Sequence, residues 1–408
     1  MAIATRLDVV PLKMVPLAEL VEFRRGLTYK KSDEVALSSN AVLRANNVNL
    51  ETGSLDLTNI RFISDVVPVP ASKKLLKNSL LICTASGSRS HLGKVAYVED
   101  DFDYAFGGFM GLVVPCAQVL GKFLYYFTRS TAYSDFIDSL SAGANINNLR
   151  FSDLGRLLIP LPPLENQKRI VAVLDQAFAA LDRARAHAEA NRESCRELFG
   201  TLLEATLRRD ASGWKRLPLK SLGTTQTGTT PKASEAESYG DFIPFIKPGD
   251  FKLDGSLELE NQGLSELGAK KARTVPAGSA LMVCIGATIG KAGFTETDIV
   301  TNQQINSVFP RDGISGEFLY YQFITPSFQK DVMRRSGQAT LPIINKSKWS
   351  EIEVAFPSDL ATQSRLVESL RAIHRHTEEL VGKYDQKLAD IANLRQSLLQ
   401  KAFSGELT

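Results

Sequence analysis

The stretch Leu161-Pro162-Pro163-Leu164-Glu165-Asn166-Gln167-Lys168-Arg169-Ile170 decides the fold, because a globular pattern ends there and a helical one begins. Proline suits the first turn of a helix, and Glu165 suits its positive end. From Ile170 an apolar seam runs through Leu174, Ala177, Leu181, Ala184, Ala188, Asn191, Cys195, Leu198, Leu202 and Ala205 in alternating steps of four and three. Sustained over several heptads, that alternation predicts a coiled-coil helix.

The same seam returns 196 residues later, as Leu366, Leu370, Ile373, Thr377, Leu380, Tyr384, Lys387, Ile391, Leu394, Leu398 and Lys401. At about 1.5 Å per residue each helix would reach roughly 65 Å, too long to bury its stripe in a small domain. Pairing of the two stripes is the economical solution. A whole globular module separates them in the chain, which favours an antiparallel pair over a parallel one. Asn191 and Lys387 fall at equivalent polar positions and are read as setting the register, with contact to a partner protein as the alternative.

The repeat extends into the globular parts. Val15-Pro16-Leu17 matches Leu217-Pro218-Leu219, and Leu81-Ile82-Cys83 is aligned with Met282-Val283-Cys284 at an offset of 201. Gly93-Lys94 matches Gly290-Lys291, and Phe123-Leu124-Tyr125-Tyr126 matches Phe318-Leu319-Tyr320-Tyr321. The drifting offset marks loop insertions, which end where the helices begin. Strand-length apolar runs (Leu80-Leu81-Ile82-Cys83, Gly111-Leu112-Val113-Val114, Ala280-Leu281-Met282-Val283) alternate with helical stretches near 122–140 and 317–335. The expected fold is α+β: a module over 1–163, a helix over 164–209, a second module over 210–359 and a second helix over 360–408.

Composition bounds the function. The 408 residues, 44% hydrophobic and 23% charged, describe an ordered globular protein of more than one domain. A net charge of +3 splits evenly as +1 over 165–209, +1 over 361–408 and +1 over the rest, so no overall field marks a nucleic-acid binder. Four cysteines without a CxxC and four histidines argue against a disulfide scaffold and a zinc site, and a reducing cytosol is the expectation. Neither a signal-peptide layout at the N-terminus nor an apolar run of about 20 residues is seen, so export and membrane insertion are not expected.

Local clusters must therefore carry any DNA-binding argument. Loops rich in Gly, Ser, Thr and amides lie beside basic residues, and these side chains suit both phosphate and base-edge contacts. In the first module the candidates are Arg24, Lys30, Arg44, Asn46, Ser86, Gly87, Ser88, Arg89, His91, Lys94, Asn145, Asn147 and Arg150. The second module offers Thr229, Thr230, Lys232, Lys247, Thr288, Lys291, Gln303, Gln304, Gln338, Thr340 and Lys346. Such loops are also ordinary turns, and such clusters ordinary solvated faces.

Catalytic signatures are missing. Gly286 to Lys291 is one residue too short for a P-loop and Gly87 to Lys94 too long, and no GxGxxG follows a strand. Asn-Pro-Pro-aromatic and Asp-Pro-Pro-aromatic segments are absent, which disfavours a self-contained adenine methyltransferase. Asp250-Phe251-Lys252 and Asp385-Gln386-Lys387 have the tail of a nuclease motif without its preceding Pro-Asp, and both read as structural.

Across essentially its whole length the sequence resembles the specificity subunit of a Type I restriction-modification system. The resemblance is carried by Leu43-Arg44-Ala45-Asn46-Asn47, Leu81 to Ser88, Phe106-Gly107-Gly108-Phe109-Met110, Ile159 to Ile170, Gly228-Thr229-Thr230-Pro231, Tyr239 to Phe245, and the closing Leu394 to Leu407. It departs from the family pattern where Asp359-Leu360-Ala361-Thr362-Gln363 replaces the Pro-Leu-Glu-x-Gln form. What it implies is a non-catalytic subunit of a prokaryotic cytoplasmic complex, with two target-recognition domains that each read half of a bipartite DNA site. The helices would set the spacer and dock two modification subunits; restriction subunits would join, and S-adenosylmethionine, ATP and Mg2+ would be used by those partners. The competing readings are a self-contained methyltransferase or nuclease, and a coiled-coil scaffold unrelated to DNA.

Overall fold

The computed structural model describes residues 12–88, 91–141, 148–207, 214–232, 234–337 and 341–407. The first module holds an antiparallel four-stranded sheet in the order Val21–Arg25, Met110–Pro115, Leu80–Cys83, Val95–Tyr97. The second module repeats it as Gly223–Thr227, Ile305–Pro310, Ala280–Val283, Ala292–Phe294. A smaller sheet in each contains one parallel pair, Asn40–Leu43 with Ala105–Phe106 and Phe245–Ile246 with Ile299–Thr301. Antiparallel ribbons then bring each module's two ends together, Met14–Pro16 on Leu158–Pro160 and Trp214–Pro218 on Glu353–Pro357, directly before the long helices Leu164–Leu207 and Leu360–Ser404.

The central strands explain their apolar runs, because both faces are covered. Leu80 and Ile82 pack with Phe123 and Leu154, while Leu81 and Cys83 pack with Leu43 and Phe106. Correspondingly, Ala280 and Met282 pack with Phe318 and Trp349, while Leu281 and Val283 pack with Ile246 and Ile305. This corrects the sequence alignment: Cys83 is equivalent to Val283, an offset of 200. A slip of one residue would exchange the two faces of the strand. Each helical stretch is also two helices, Gly121–Phe127 with Thr131–Ser141 and Gly316–Phe323 with Pro326–Arg335. The second break is set by Thr325, whose hydroxyl accepts from Phe328 N at 3.3 Å ahead of Pro326 in the first turn.

The chain forms two compact units that share the helices: Met1–Ala186 with Leu388–Thr408, and His187–Lys387. In the first, Ile170 and Leu174 join a core with Leu399 and Ala402, while the later Asp182 bonds the earlier Arg395. In the second, Arg192 meets Asp385 at 2.7 Å and Phe199 stacks on His374 at 4.6 Å. Rising numbers on one helix meet falling numbers on the other, so the pairing is antiparallel within each unit. Leu174 and Leu370 are fully buried, each contributing about 2 kcal/mol.

The seam itself needs correction. Ile170, Leu174, Leu181, Leu366, Leu370, Ile373 and Leu398 are buried or partly so, but Asn191, Leu198, Leu202, Leu380, Lys387 and Leu394 are exposed. The covered companions are Phe178, Arg192, Phe199 and Leu203 on one helix, and His374, Val381, Leu388 and Arg395 on the other. Asn191 and Lys387 therefore set no register. Arg192 occupies the polar seam position instead.

Candidate nucleic-acid interface

Three loops of the first module meet beside the end of strand Val21–Arg25. The turn Gly107-Gly108-Phe109 lies against Gly26 so closely that a Cβ on Gly26 would stand 1.9 Å from Gly107 O, which restricts the position to glycine. Phe109 O accepts from Thr84 N at 2.9 Å, Thr84 Oγ1 at 3.0 Å and Ala85 N at 3.1 Å. Leu149 N in turn donates to Thr84 O at 2.6 Å. The loops after Cys83 and before Phe151 are thus tied to the same turn.

Two adjoining hollows result. One, of about 590 Å³, is lined by Tyr29, Lys31, Arg44, Asn46, Ser86 and Phe109 among others. The other, of about 520 Å³, is lined by Arg25, Asn148, Arg150 and Phe151 and shares Ala85, Gly108, Phe109 and Met110 with the first. Asn47 shapes the first hollow from beneath: its Oδ1 accepts from Arg44 N at 2.9 Å while its amide donates to Asp56 O and Asn59 O. Arg44 Nε is buried without a hydrogen-bond partner, an unmet donor at the edge of this hollow. Phe151 stacks on Phe23 with centroids 4.9 Å apart, and the Arg25 guanidinium lies 5.8 Å from its ring.

The structure thus brings together Arg44, Asn46, Ser86 and Arg150, with Lys30 exposed next to Lys31 and Gly87 and Ser88 exposed just beyond Ser86. One candidate is corrected. Lys94 is buried, its Nζ donating to Val48 O at 2.9 Å, and burial holds its pKa below the ordinary lysine range. It fixes the loop after Val48 and cannot reach a phosphate. Arg24 is held by Glu22 at 2.8 Å, and its neighbour Arg25 faces the hollow. His91 is half-buried, with Nδ1 lacking a partner. Arg89, Asn145 and Asn147, like Gln338 and Thr340 in the second module, lie outside the described residues.

The second module builds the same turn from different residues. A Cβ on Gly228 would stand 2.1 Å from Asn302 O, and Cys284 N donates to Gln304 O at 2.7 Å, as Thr84 N does to Phe109 O. Thr229 and Thr230 follow Gly228, and the Thr230 hydroxyl bonds Gln303 Oε1. Gln304 is drawn inward, its Oε1 accepting from Asn302 Nδ2 at 2.9 Å. Lys232, Lys247, Thr288, Lys291 and Lys346 are all exposed, with the Lys247 ammonium 5.4 Å from the Phe245 ring. Both Asp-x-Lys segments are structural: Asp250 caps Lys247 N at 2.7 Å, Lys252 pairs with Glu258 at 3.1 Å, and Asp385 binds Arg192. Among the described residues no group of three or more His, Cys, Asp or Glu side chains could hold a metal, and no helix is long and apolar enough to cross a membrane.

Sequence reasoning marks the segments Arg24-Arg25, Lys30-Lys31, Phe106-Gly107-Gly108-Phe109 and 143–150 but singles out Arg24, Lys30, Asn145 and Asn147 from them, whereas the hollows are lined by Arg25, Lys31, Phe109 and Asn148. It missed Gln167 and Gln363, each fully buried, which clamp helix to module. The Gln167 amide donates to Gln118 O and Pro162 O and accepts from Leu120 N; Gln363 does the same with Gly313 O, Pro357 O and Ser315 N, all at 2.9–3.1 Å. The altered start of the second helix is therefore neutral for the clamp. Asp359 Oδ1 accepts from Thr362 N at 2.7 Å and caps that helix where proline opens the other.

Known proteins share this layout. The chain is 26% identical to the EcoKI specificity subunit of Escherichia coli K12 over 97% of its own length and 89% of that protein's. It is 33% identical to the HindI specificity subunit of Haemophilus influenzae over 48% of its length and 42% of that protein's. A solved chain from a type I R-M system superposes with TM-score 0.79 at 20% identity, covering 96% of this chain and 97% of that one. The HsdS subunit of Thermoanaerobacter tengcongensis gives TM-score 0.57 at 19% identity, with 99% and 100% covered. The family model for the Type I restriction modification DNA specificity domain matches residues 10–190 and again 211–389, so that both modules and most of both helices are accounted for, and the chain belongs to that family.

Proposed function

We propose that each module reads one half of an interrupted, asymmetric DNA site, that the paired helices set the interval between the halves, and that both helices dock modification subunits. The observation that carries this reading is the duplicated turn on duplicated sheets, with Phe109 and Gln304 at the same position. Equal scaffolds with unequal tips suit two different half-sites. Tethering makes the second half-site contact intramolecular, so the modest local basicity of each module suffices.

Docking of two equal partners is supported by the leucines that the helix pairing leaves out. Leu198 and Leu394 occupy equivalent positions, 59% and 49% exposed, and Leu164 and Leu360 form a second such pair. Apolar side chains repeated on two helices suit two copies of one partner. In this reading the modification subunits bind S-adenosylmethionine and methylate adenine, while restriction subunits use ATP and Mg2+, all within a prokaryotic cytoplasm. Methylome sequencing of the host with and without this gene is the test: one bipartite motif should lose its methylation when the gene is deleted. An unchanged methylome in a host that expresses the partner subunits would refute the reading.

A further inference from the structure

We propose that Phe109 determines specificity in the first half-site by packing on the C5-methyl group of a thymine in the major groove. This rests on the reading of the modules as half-site readers and names the chemistry of one contact. Phe109 is 73% exposed, far more than a phenylalanine needs to be in a module with a well-filled core. Its backbone is nonetheless fixed, with three donors converging on its carbonyl oxygen and Met110 N closing the turn on Gly107 O at 2.8 Å. A rigid main chain carrying an exposed ring loses little conformational entropy on binding.

Its surroundings suit a base edge. Phe109 lines both hollows, one with Lys31, Glu34, Arg44, Asn46 and Ser86 and the other with Arg25 and Arg150, so basic and amide side chains able to hold phosphates and base edges flank it in each, with Glu34 as the acidic member of the first. Among the four bases only thymine presents an apolar group in the major groove, and an aromatic side chain is one of its matches. The second module makes the contrast. At the equivalent position Gln304 is tethered inward by Asn302, and the exposed neighbour is Gln303, an amide suited to adenine.

The test uses the chain assembled with its modification subunits and duplexes in which each T of the recognised site is replaced in turn by uracil, which removes only the methyl group. Methylation by the unaltered complex should fall about 4-fold at one thymine, confined to one half-site, the worth of one buried methyl group. Phe109→Ala should weaken methylation by at least as much and make the complex indifferent to uracil there, while base changes in the other half-site are still rejected, which shows that the assembly is intact. A half-site pair in which uracil is tolerated everywhere, or uracil sensitivity that survives Phe109→Ala, overturns the proposal. A rise in 2-aminopurine fluorescence at a step where uracil is tolerated overturns it too, since the ring would then be a wedge between bases. A complex that ignores base changes in both half-sites refutes the half-site reading itself, a distinct outcome.

Discussion

In the first unit Lys122, on the short helix Gly121–Phe127, reaches Asp175 on the long helix at 2.9 Å; in the second, Glu317 on the matching short helix accepts from Arg371 on the matching long one at 3.0 Å. Beside them Tyr126 meets Phe178 edge-on at 5.3 Å, and Tyr321 meets His374 edge-on at 6.3 Å. Across the helix pair, Phe178 carries the Arg395 guanidinium at 4.4 Å, whereas the equivalent His374 stacks on Phe199. The two junctions keep one geometry while the ion pair reverses sign and the partners of the stacked ring change. A module seated on the wrong helix would face Glu317 with Asp175, or Lys122 with Arg371. Duplication has thus left each module marked for its own helix, a repulsive device as much as an attractive one.

What the junctions share should be costlier to lose than what distinguishes them. Gln167→Ala and Gln363→Ala each remove a side chain that satisfies one amide and two carbonyls in a fully buried site, so each should cost about 2–4 kcal/mol. Hydrogen exchange at Leu120 N and Ser315 N, the amides left unpaired, would report the two losses separately. Markedly unequal losses would break the equivalence of the junctions.

The reversed ion pair should matter less. Both of its versions are partly exposed to solvent, so Lys122→Glu alone should cost about 1 kcal/mol, and Asp175→Arg added to it should recover part of that, the gain being limited because Asp175 also accepts from the Tyr126 hydroxyl. Urea unfolding of the single and double variants measures the coupling. A double variant no better than the single would show that the pair is passive and that the modules are sorted by chain connectivity alone.

Period was legible in the sequence where register was not. Leu198, Leu202, Leu380 and Leu394 attract any hydrophobic reading of the seam, yet the positions covered include Arg192 and Arg395, whose stems pack while their guanidinium groups meet Asp385 and the Phe178 ring, and His374, whose ring stacks on Phe199. The strand Leu80–Cys83 defeats alternation for the opposite reason: all four side chains are buried, so nothing in the sequence says which face is which. Lys94 stands beside a glycine like a phosphate ligand, and only the path of the chain near Val48 shows that its ammonium is used indoors. The tandem α+β layout survived these errors because it rests on spacing between repeats, which does not depend on facing.

The smallest effect falls on pH. His374 is buried against Phe199 and Tyr321, with Glu378 on its own helix and Asp254 in the module as the acidic groups near it; burial outweighs their pull and lowers its pKa below the ordinary histidine value. The packed ring is therefore neutral where a free histidine would begin to take a proton. Below about pH 6.5 the unfolded chain binds a proton that the folded one resists, so the contribution of His374 is complete above that pH and is lost as the pH falls toward its lowered value. Phe178 stands at the equivalent place in the first unit and cannot titrate. Both tryptophans of the chain, Trp214 and Trp349, lie in the second unit, which makes their fluorescence a reporter of that unit alone. Acidification from pH 8 to 5.5 should lower the urea midpoint of the tryptophan transition in the native sequence more than in His374→Phe, whose junction would then match that of the first unit. Equal midpoint shifts in the two proteins would mean that other groups carry the acid response, and that the histidine is only one more ring in the stack.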